Sequence, residues 1–202
     1  MKPSLSSAPL LSALLLALVA AWPGVAAAQS TAQASDHTVV DVGDNIPDPQ
    51  AIANLMFPPQ EDECLKLKAA GFACMGGFDV GLRFSLPANA FKIGSIELPE
   101  LLKRQLEVFA EVLRGKRGSG KKVRIEGHAD ASGTATNNLN LSQRRAEAVK
   151  AYLVDRGAEA DMLVAVGLGD RQPKVKSDPR SGLNRRVEIG RDVEAAGRSA
   201  GR

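Results

Sequence analysis

Along the second half of the chain, the spacing of apolar residues switches repeatedly between helical and strand periods. Leu98, Leu102, Leu106, Phe109 and Leu113 recur three to four positions apart, which predicts a helix over about 99–114 with one buried face. Val123 and Ile125 then alternate with Arg124 and Glu126, as expected of a strand with one face under helices and one more polar. Ala146, Val149 and Leu153 predict a second helix over about 142–156, ended by Gly157. A stretch over 78–84 supplies an earlier strand, and 163–166 and 187–189 supply two later ones. The order is βαβαββ, an α/β (α+β sandwich) class. Two right-handed crossovers and a final strand pair give a mixed sheet with two helices packed on it. In such sheets the binding crevice lies at strand ends and in the loops that leave them.

The N-terminus bears on compartment. Lys2 precedes an apolar run from Leu10 to Ala21 and a small-residue stretch, 24–28, in which Ala26 and Ala28 fit an AxA cleavage rule. A secretory signal over 1–28 is expected, with the mature chain starting near Gln29. The run breaks at Trp22-Pro23 and is shorter than the roughly 20 residues that span a bilayer. No cysteine stands near the cleavage point to carry a lipid, so the mature chain is expected to be soluble, without a transmembrane span. Lys2 is the only charged residue in 1–28, so its loss takes the formal charge from +3 to +2. So mild a balance argues against nucleic acid as a partner, which would call for a basic stripe.

Between signal and main domain the chain is less regular. Residues 29–45 are polar and aperiodic and read as a linker, and 46–77 as a short helical appendage. Asp48 can cap a helix with Pro49 at its first position and Ala51, Ile52, Leu55 and Met56 on one face. A second helix over about 62–70 carries Cys64, with Cys74 just beyond its end. Two cysteines in an oxidising compartment predict one Cys64–Cys74 disulfide, the alternative being two buried thiols. Residues 78–190 form the main domain, and 191–202 read as a disordered tail.

Short motifs sit at the ends of the apolar runs: IEGHAD (125–130), Gly133, Asn138, LSQRRA (141–146), GLGDRQP (167–173) and NRRVEI (184–189). Asp130 falls just past the second strand, and Arg144 and Arg145 fall in the expected first turn of the second helix. A helix start normally favours acidic residues by about 0.3 to 1 kcal/mol, so two arginines there suggest an anionic ligand. Arg145 lies at the edge of the buried stripe beside Val149 and Tyr152, whereas Arg144 projects away. Each residue also has a structural reading. Arg145 can pair with Asp130 to hold loop and helix together, Asp130 can brace a turn, Asn138 can cap a loop, and Ser142 can cap the helix.

In register, these motifs resemble the OmpA-like peptidoglycan-binding domain over about 80–189. The resemblance implies noncovalent binding of peptidoglycan. Asp130 and Arg145 would hold the ammonium and carboxylate of the stem peptide's diaminopimelate, Asn138 would line the pocket, and Arg185 would stand at its edge. A zwitterion held between a carboxylate and a guanidinium suits that ligand. Ala129 replaces the threonine common in the GHTD form of the motif, and the register of SLPANAF (85–91) leaves Pro87 and Asn89 without an assigned role.

An enzyme is the rival class. Glu126, His128 and Asp130 share a strand face at period two. His37, however, falls in the expected linker, and His128 has no second histidine or cysteine nearby in sequence to complete a zinc set. Ser142 sits at a cap rather than a nucleophile turn. No catalytic residue, metal or cofactor is therefore expected. A cell-wall hydrolase, or an accessory subunit of a secretion or motility machine, is the alternative. The location implied is the periplasm, possible association with the outer membrane included, and 46–77 is the place where an envelope protein could dock.

Overall fold

A computed structural model describes residues 37–73, 82–87, 91–92 and 94–192. The expected signal segment, Cys74 and residues 193–202 lie outside the described residues. No described helix is long and apolar enough to cross a membrane.

The core of the fold is a five-stranded mixed sheet, ordered β1-β2-β5-β3-β4. Its strands are β1 (Val39–Asp41), β2 (Arg83–Leu86), β3 (Val123–His128), β4 (Leu163–Gly169) and β5 (Val187–Arg191). β1 runs parallel to β2 and β3 parallel to β4, while β5 is antiparallel to both β2 and β3. Among the described residues four α-helices accompany the sheet: α1 (Pro49–Met56), α2 (Pro59–Ala69), α3 (Glu100–Arg114) and α4 (Ala135–Asp155). From β2 onward the order is the expected βαβαββ.

Alternation along the strands sorts the side chains into two faces. Phe84, Leu86, Val123, Ile125, Val187 and Ile189 join Leu102, Leu106, Phe109 and Leu113 of α3 and Ala146, Val149 and Leu153 of α4 in one core. Phe84 and Phe109 meet edge to face, ring centroids 5.6 Å apart. The other face carries Arg83, Ser85, Glu126, His128, Arg186 and Glu188. It is polar as expected, yet all six residues are buried.

Three expectations are corrected. Residues 39–41 are not linker, because Val39, Val40 and Asp41 pair with Arg83, Phe84 and Ser85 and add an edge strand. Over its described part, residues 46–73, the expected appendage packs onto the main domain. Ile52, Met56 and Phe57 enter the main core, and Gln105 of α3 donates to the carbonyls of Gly43 and Asn45 at 2.8 and 2.7 Å. α2 is tied down by Lys121, which bonds Asp62 at 2.7 Å, and by Arg191, which bonds Glu61 at 2.5 Å. Arg191, expected in a tail, ends β5, and the Asp192 amide still donates to Lys122 O.

The largest correction concerns α4, which begins seven residues before the expected start at Ser142. Thr134 caps it, its hydroxyl accepting from the Asn137 amide at 3.2 Å. Arg144 and Arg145 therefore stand in the middle of a 21-residue helix, and the argument from a helix start does not apply to them. Ser142 caps nothing. Its hydroxyl donates to Leu139 O at 2.9 Å and accepts from the Gly169 amide at 2.8 Å.

α4 lies so close to β3 and β4 that side chains are excluded at the contact. A Cβ on Gly127 would stand 2.1 Å from the Ser142 carbonyl oxygen, and one on Gly167 would stand 2.5 Å from the Gln143 amide nitrogen. Both obstacles are backbone atoms of a packed helix and cannot swing aside. Gly127→Ala should therefore cost about 1–3 kcal/mol, as overpacking does. Urea unfolding checks this against Gly115→Ala, where the new Cβ meets nothing nearer than 3.4 Å and the change should be within about 0.5 kcal/mol.

Candidate functional site

The ends of β3 and β4, the start of β5 and the first half of α4 converge on one rim. Beyond β3 the chain is held by amides of alternate residues: Ala129 donates to Gly169 O and Ala131 to Pro179 O. Between them Asp130 is held with both oxygens engaged. Oδ1 accepts from the Ser132 amide at 2.9 Å, an Asx turn, and Oδ2 accepts from Arg185 Nη1 at 2.6 Å. Burial pushes the Asp130 carboxyl up, but the hydrogen bonds from Arg185 and Ser132 outweigh it and hold it below the usual carboxylate range.

Arg185, expected at the edge of the site, is thus the direct partner of Asp130. It directly follows the short 3₁₀ turn Gly182–Asn184, and its guanidinium packs over Gly182, where a Cβ would come within 3.0 Å. Its Nε is buried with no hydrogen-bond partner among the described residues. The turn that delivers it is built on Asn184, which the sequence reading did not single out. Fully buried, Asn184 accepts from the Val175 amide at 2.8 Å and donates to Asp178 O and Pro179 O, both at 3.0 Å. Three bonds from one side chain fold the loop over 175–184 and link it, through Pro179, to the loop of Asp130. A buried asparagine inside a motif of polar residues was the available signal.

Arg145 is the largest fully buried side chain of the chain's described part. The structure does not pair it with Asp130. Its Nε donates to Ser95 O at 2.9 Å and Nη2 to Lys92 O at 3.1 Å, and the guanidinium lies over the Phe91 ring at 4.6 Å. Nη1 has no hydrogen-bond partner among the described residues. Burial pushes its pKa down to about 10, helped by the nearby charge of Arg185 and opposed by that of Asp130, so it remains a cation at neutral pH. Arg144 is exposed, in line with its expected direction.

Asn138 lies on α4 rather than in a loop. Its Nδ2 donates to Asp170 Oδ2 at 3.0 Å, and its Oδ1 stands where a Cβ on Gly133 would come within 2.7 Å. Its visible task is to join the 131–134 loop to Asp170, which lies just past β4 and was also missed. The rival constellations separate in space. Ser142 faces the helix side, His128 the reverse face of the sheet, and Asp130 the rim, so no triad forms. His128 is fully buried, and burial pushes its pKa down to about 3. Cys64 is buried on α2; the bridge to Cys74 lies outside the described residues.

Residues 90–186 match the OmpA family. The chain is 40% identical over 101 residues to the peptidoglycan-associated lipoprotein of Pseudomonas aeruginosa, a match covering 49% of this chain and 58% of the relative. It is 32% identical over 137 residues to the peptidoglycan-binding protein ArfA of Mycobacterium tuberculosis, covering 65% of this chain and 37% of the relative. Among solved structures, the peptidoglycan-associated lipoprotein of Burkholderia pseudomallei is 27% identical, with a TM-score of 0.48, over 54% of this chain and 89% of that one. The chain thus spans less than two thirds of the length of the curated relatives it matches. The stretch that matches the OmpA family, residues 90–186, takes in α3, β3, α4 and β4 together with the rim they form.

Proposed function

We propose that this domain binds peptidoglycan noncovalently, through the diaminopimelate of the stem peptide, and tethers an envelope assembly to the cell wall. The observation that carries the reading is one carboxylate set beside two guanidinium groups that retain unused donors. Asp130 would take the ligand's ammonium. The ligand's carboxylate would take Nη1 of Arg145 and the guanidinium of Arg185. Each charged hydrogen bond contributes roughly 1.5–3 kcal/mol. The net charge of the three side chains is +1, so a zwitterion meets both signs at one rim. Asn138 supports the rim through Asp170 rather than touching the ligand. The names of the relatives at this domain agree with a wall-binding, noncatalytic role.

Around that site we place the rest of the envelope reading. The chain enters the periplasm on a signal over 1–28, carries a Cys64–Cys74 bridge, and meets an envelope protein partner at 46–77, where Leu67 of α2 and Phe72 just beyond it are exposed. Intact mass of the exported protein should correspond to a start at Gln29 and to two hydrogens fewer than the dithiol. Crosslinking in cells should capture a partner that is lost when Leu67 and Phe72 are both changed to serine; a full-length mass, or undiminished capture, counts against this part.

Retention on isolated sacculi tests the site itself. Asp130→Ala and Arg185→Ala should each lower retention at least tenfold while far-ultraviolet circular dichroism is unchanged. Arg145→Lys, which keeps a charge but loses the planar fork, should lower it as well. Unchanged retention in both alanine variants would reject the assignment.

The same assay has a defined pH dependence. Because Asp130 titrates below its unfolded value of about 3.9, its ion pair and its ligand bond are both present above that value. Both are lost as the pH falls through the depressed folded value. Arg145 stays charged up to about 10. Retention should therefore be level between about pH 5 and 8 and be lost only in acid below the ordinary carboxylate range, where the depressed Asp130 carboxyl takes its proton.

A further inference from the structure

The reverse face of the sheet holds a second concentration of chemistry that wall binding does not use. Glu126 of β3 and Glu188 of β5 are direct cross-strand partners, both buried. Like charges in that relation repel, so cations must stand between or beside them. Each glutamate uses one oxygen for arginine. Oε1 of Glu126 meets Arg124 Nε at 2.8 Å and Arg83 Nη2 at 3.2 Å, and Oε1 of Glu188 meets Arg186 Nε at 2.6 Å. The second oxygen of each, Oε2, is buried with no hydrogen-bond partner among the described residues.

The open oxygen of Glu188 faces His37, two residues before β1. Its Nε2 lies 3.4 Å from Glu188 Oε2, and one donor atom each from His37, Glu126 and Glu188 lie within 4.8 Å of one another. His128 adds an imidazole fully shielded from solvent. Neither of its ring nitrogens has a hydrogen-bond partner among the described residues, and Nε2 stands 3.8 Å from Glu188 Oε1. The placement of His37 depends on β1 pairing with β2, which the local sequence does not announce.

We propose that this face is a binding site for a divalent transition-metal ion of the zinc type, held by His37 and one carboxylate oxygen each of Glu126 and Glu188, with His128 beside it. Nitrogen and carboxylate oxygen are zinc's ordinary ligands, at about 2.0–2.2 Å. Around a tetrahedral ion such donors stand roughly 3.3–3.6 Å apart, a contraction that side-chain rotation supplies. The arginines remain on Oε1 and orient the carboxylates from outside, as outer-shell partners of metal ligands do. Three arginines against two glutamates leave the cluster positive, which penalises any cation. Binding then depends on imidazole donation, which selects zinc over magnesium or calcium. Ligation would join the residues leading into β1 to the two central strands, independently of the wall-binding rim.

The test uses the full mature chain, stripped with EDTA and dialysed against micromolar Zn²⁺. One equivalent should be retained, and the thermal midpoint should rise by about 5 °C when the ion is in large excess over its dissociation constant. Mg²⁺ should give no shift. Co²⁺ should give visible d–d bands of a nitrogen- and oxygen-ligated ion. His37→Ala should bind at least tenfold more weakly, and Asp130→Ala should bind as the parent does. No retained Zn²⁺ in the parent, or equal retention in His37→Ala, overturns the proposal. Glu188→Gln is the second variant, and His37→Ala decides should that one fail to fold.

Discussion

The fold depends on how α4 is fastened along the open edge of β4. An edge strand presents unpaired amides and carbonyls that must be covered. Here α4 covers them with side chains at successive turns. Lys150 donates to Leu163 O at 2.7 Å, Gln143 donates to Ala165 O at 3.3 Å and accepts from the Gly167 amide at 2.6 Å, and Ser142 accepts from the Gly169 amide at 2.8 Å. These contacts hold only at the close approach that Gly127 and Gly167 permit. They fix the axial position and the rotation of the helix together. Arg145 then faces the strand ends, and Asn138, two turns earlier, meets Asp170.

That fastening explains how a guanidinium can be buried without an ion pair. A charge removed from water costs several kcal/mol unless its donors are met. Two main-chain carbonyls and the Phe91 ring meet most of the requirement for Arg145, and its position is set by the helix rather than by a carboxylate. Asp130 is consequently free to take Arg185. The reverse face follows a different rule. There Arg124 and Arg186 pair with Glu126 and Glu188 two residues further along the same stretch of chain, Arg83 of β2 reaches Glu126 of β3 across β5, and a one-residue slip of a strand would move its members to the helix side. Such a network specifies register more than it stabilises.

The legible parts of the sequence were those in which burial imposes a period. α3 and β3 stand nearly where the apolar spacing placed them, and the strand order from β2 to β5 followed from them. α4 was misplaced because its first two turns do not touch the core. They carry Asn137 and Asn140, which are exposed, and Asn138, which meets the loop at Gly133, poor helix formers that leave no apolar stripe. The cap was visible as a threonine, but Ser142 competed for the role. β1 was hidden for another reason. Three residues, VVD, acquire meaning only from pairing with a strand more than forty positions away. The site was legible as a set of residues and illegible as a set of pairs. Motif spacing brought Asp130, Arg145 and Arg185 together, whereas the partner of Asp130 depends on the 3₁₀ turn that Asn184 builds.

The Asp130–Arg185 pair also sets the energetics of the proposed recognition. In the free domain Asp130 already has its charged hydrogen bonds, so a ligand ammonium must displace or share the guanidinium of Arg185. The ligand's carboxylate compensates by taking that guanidinium. Exchange of one charged bond for another is close to neutral, as hydrogen-bond exchange generally is. Net gain must therefore come from donors unused in the free domain, chiefly Nη1 of Arg145, whose burial makes an unmet bond costly. The affinity of a single site is then moderate and its binding reversible. A wall polymer presents the same stem many times, so a tether built from several such domains gains its hold from multivalency, while each contact can still release and rebind as the wall is remodelled.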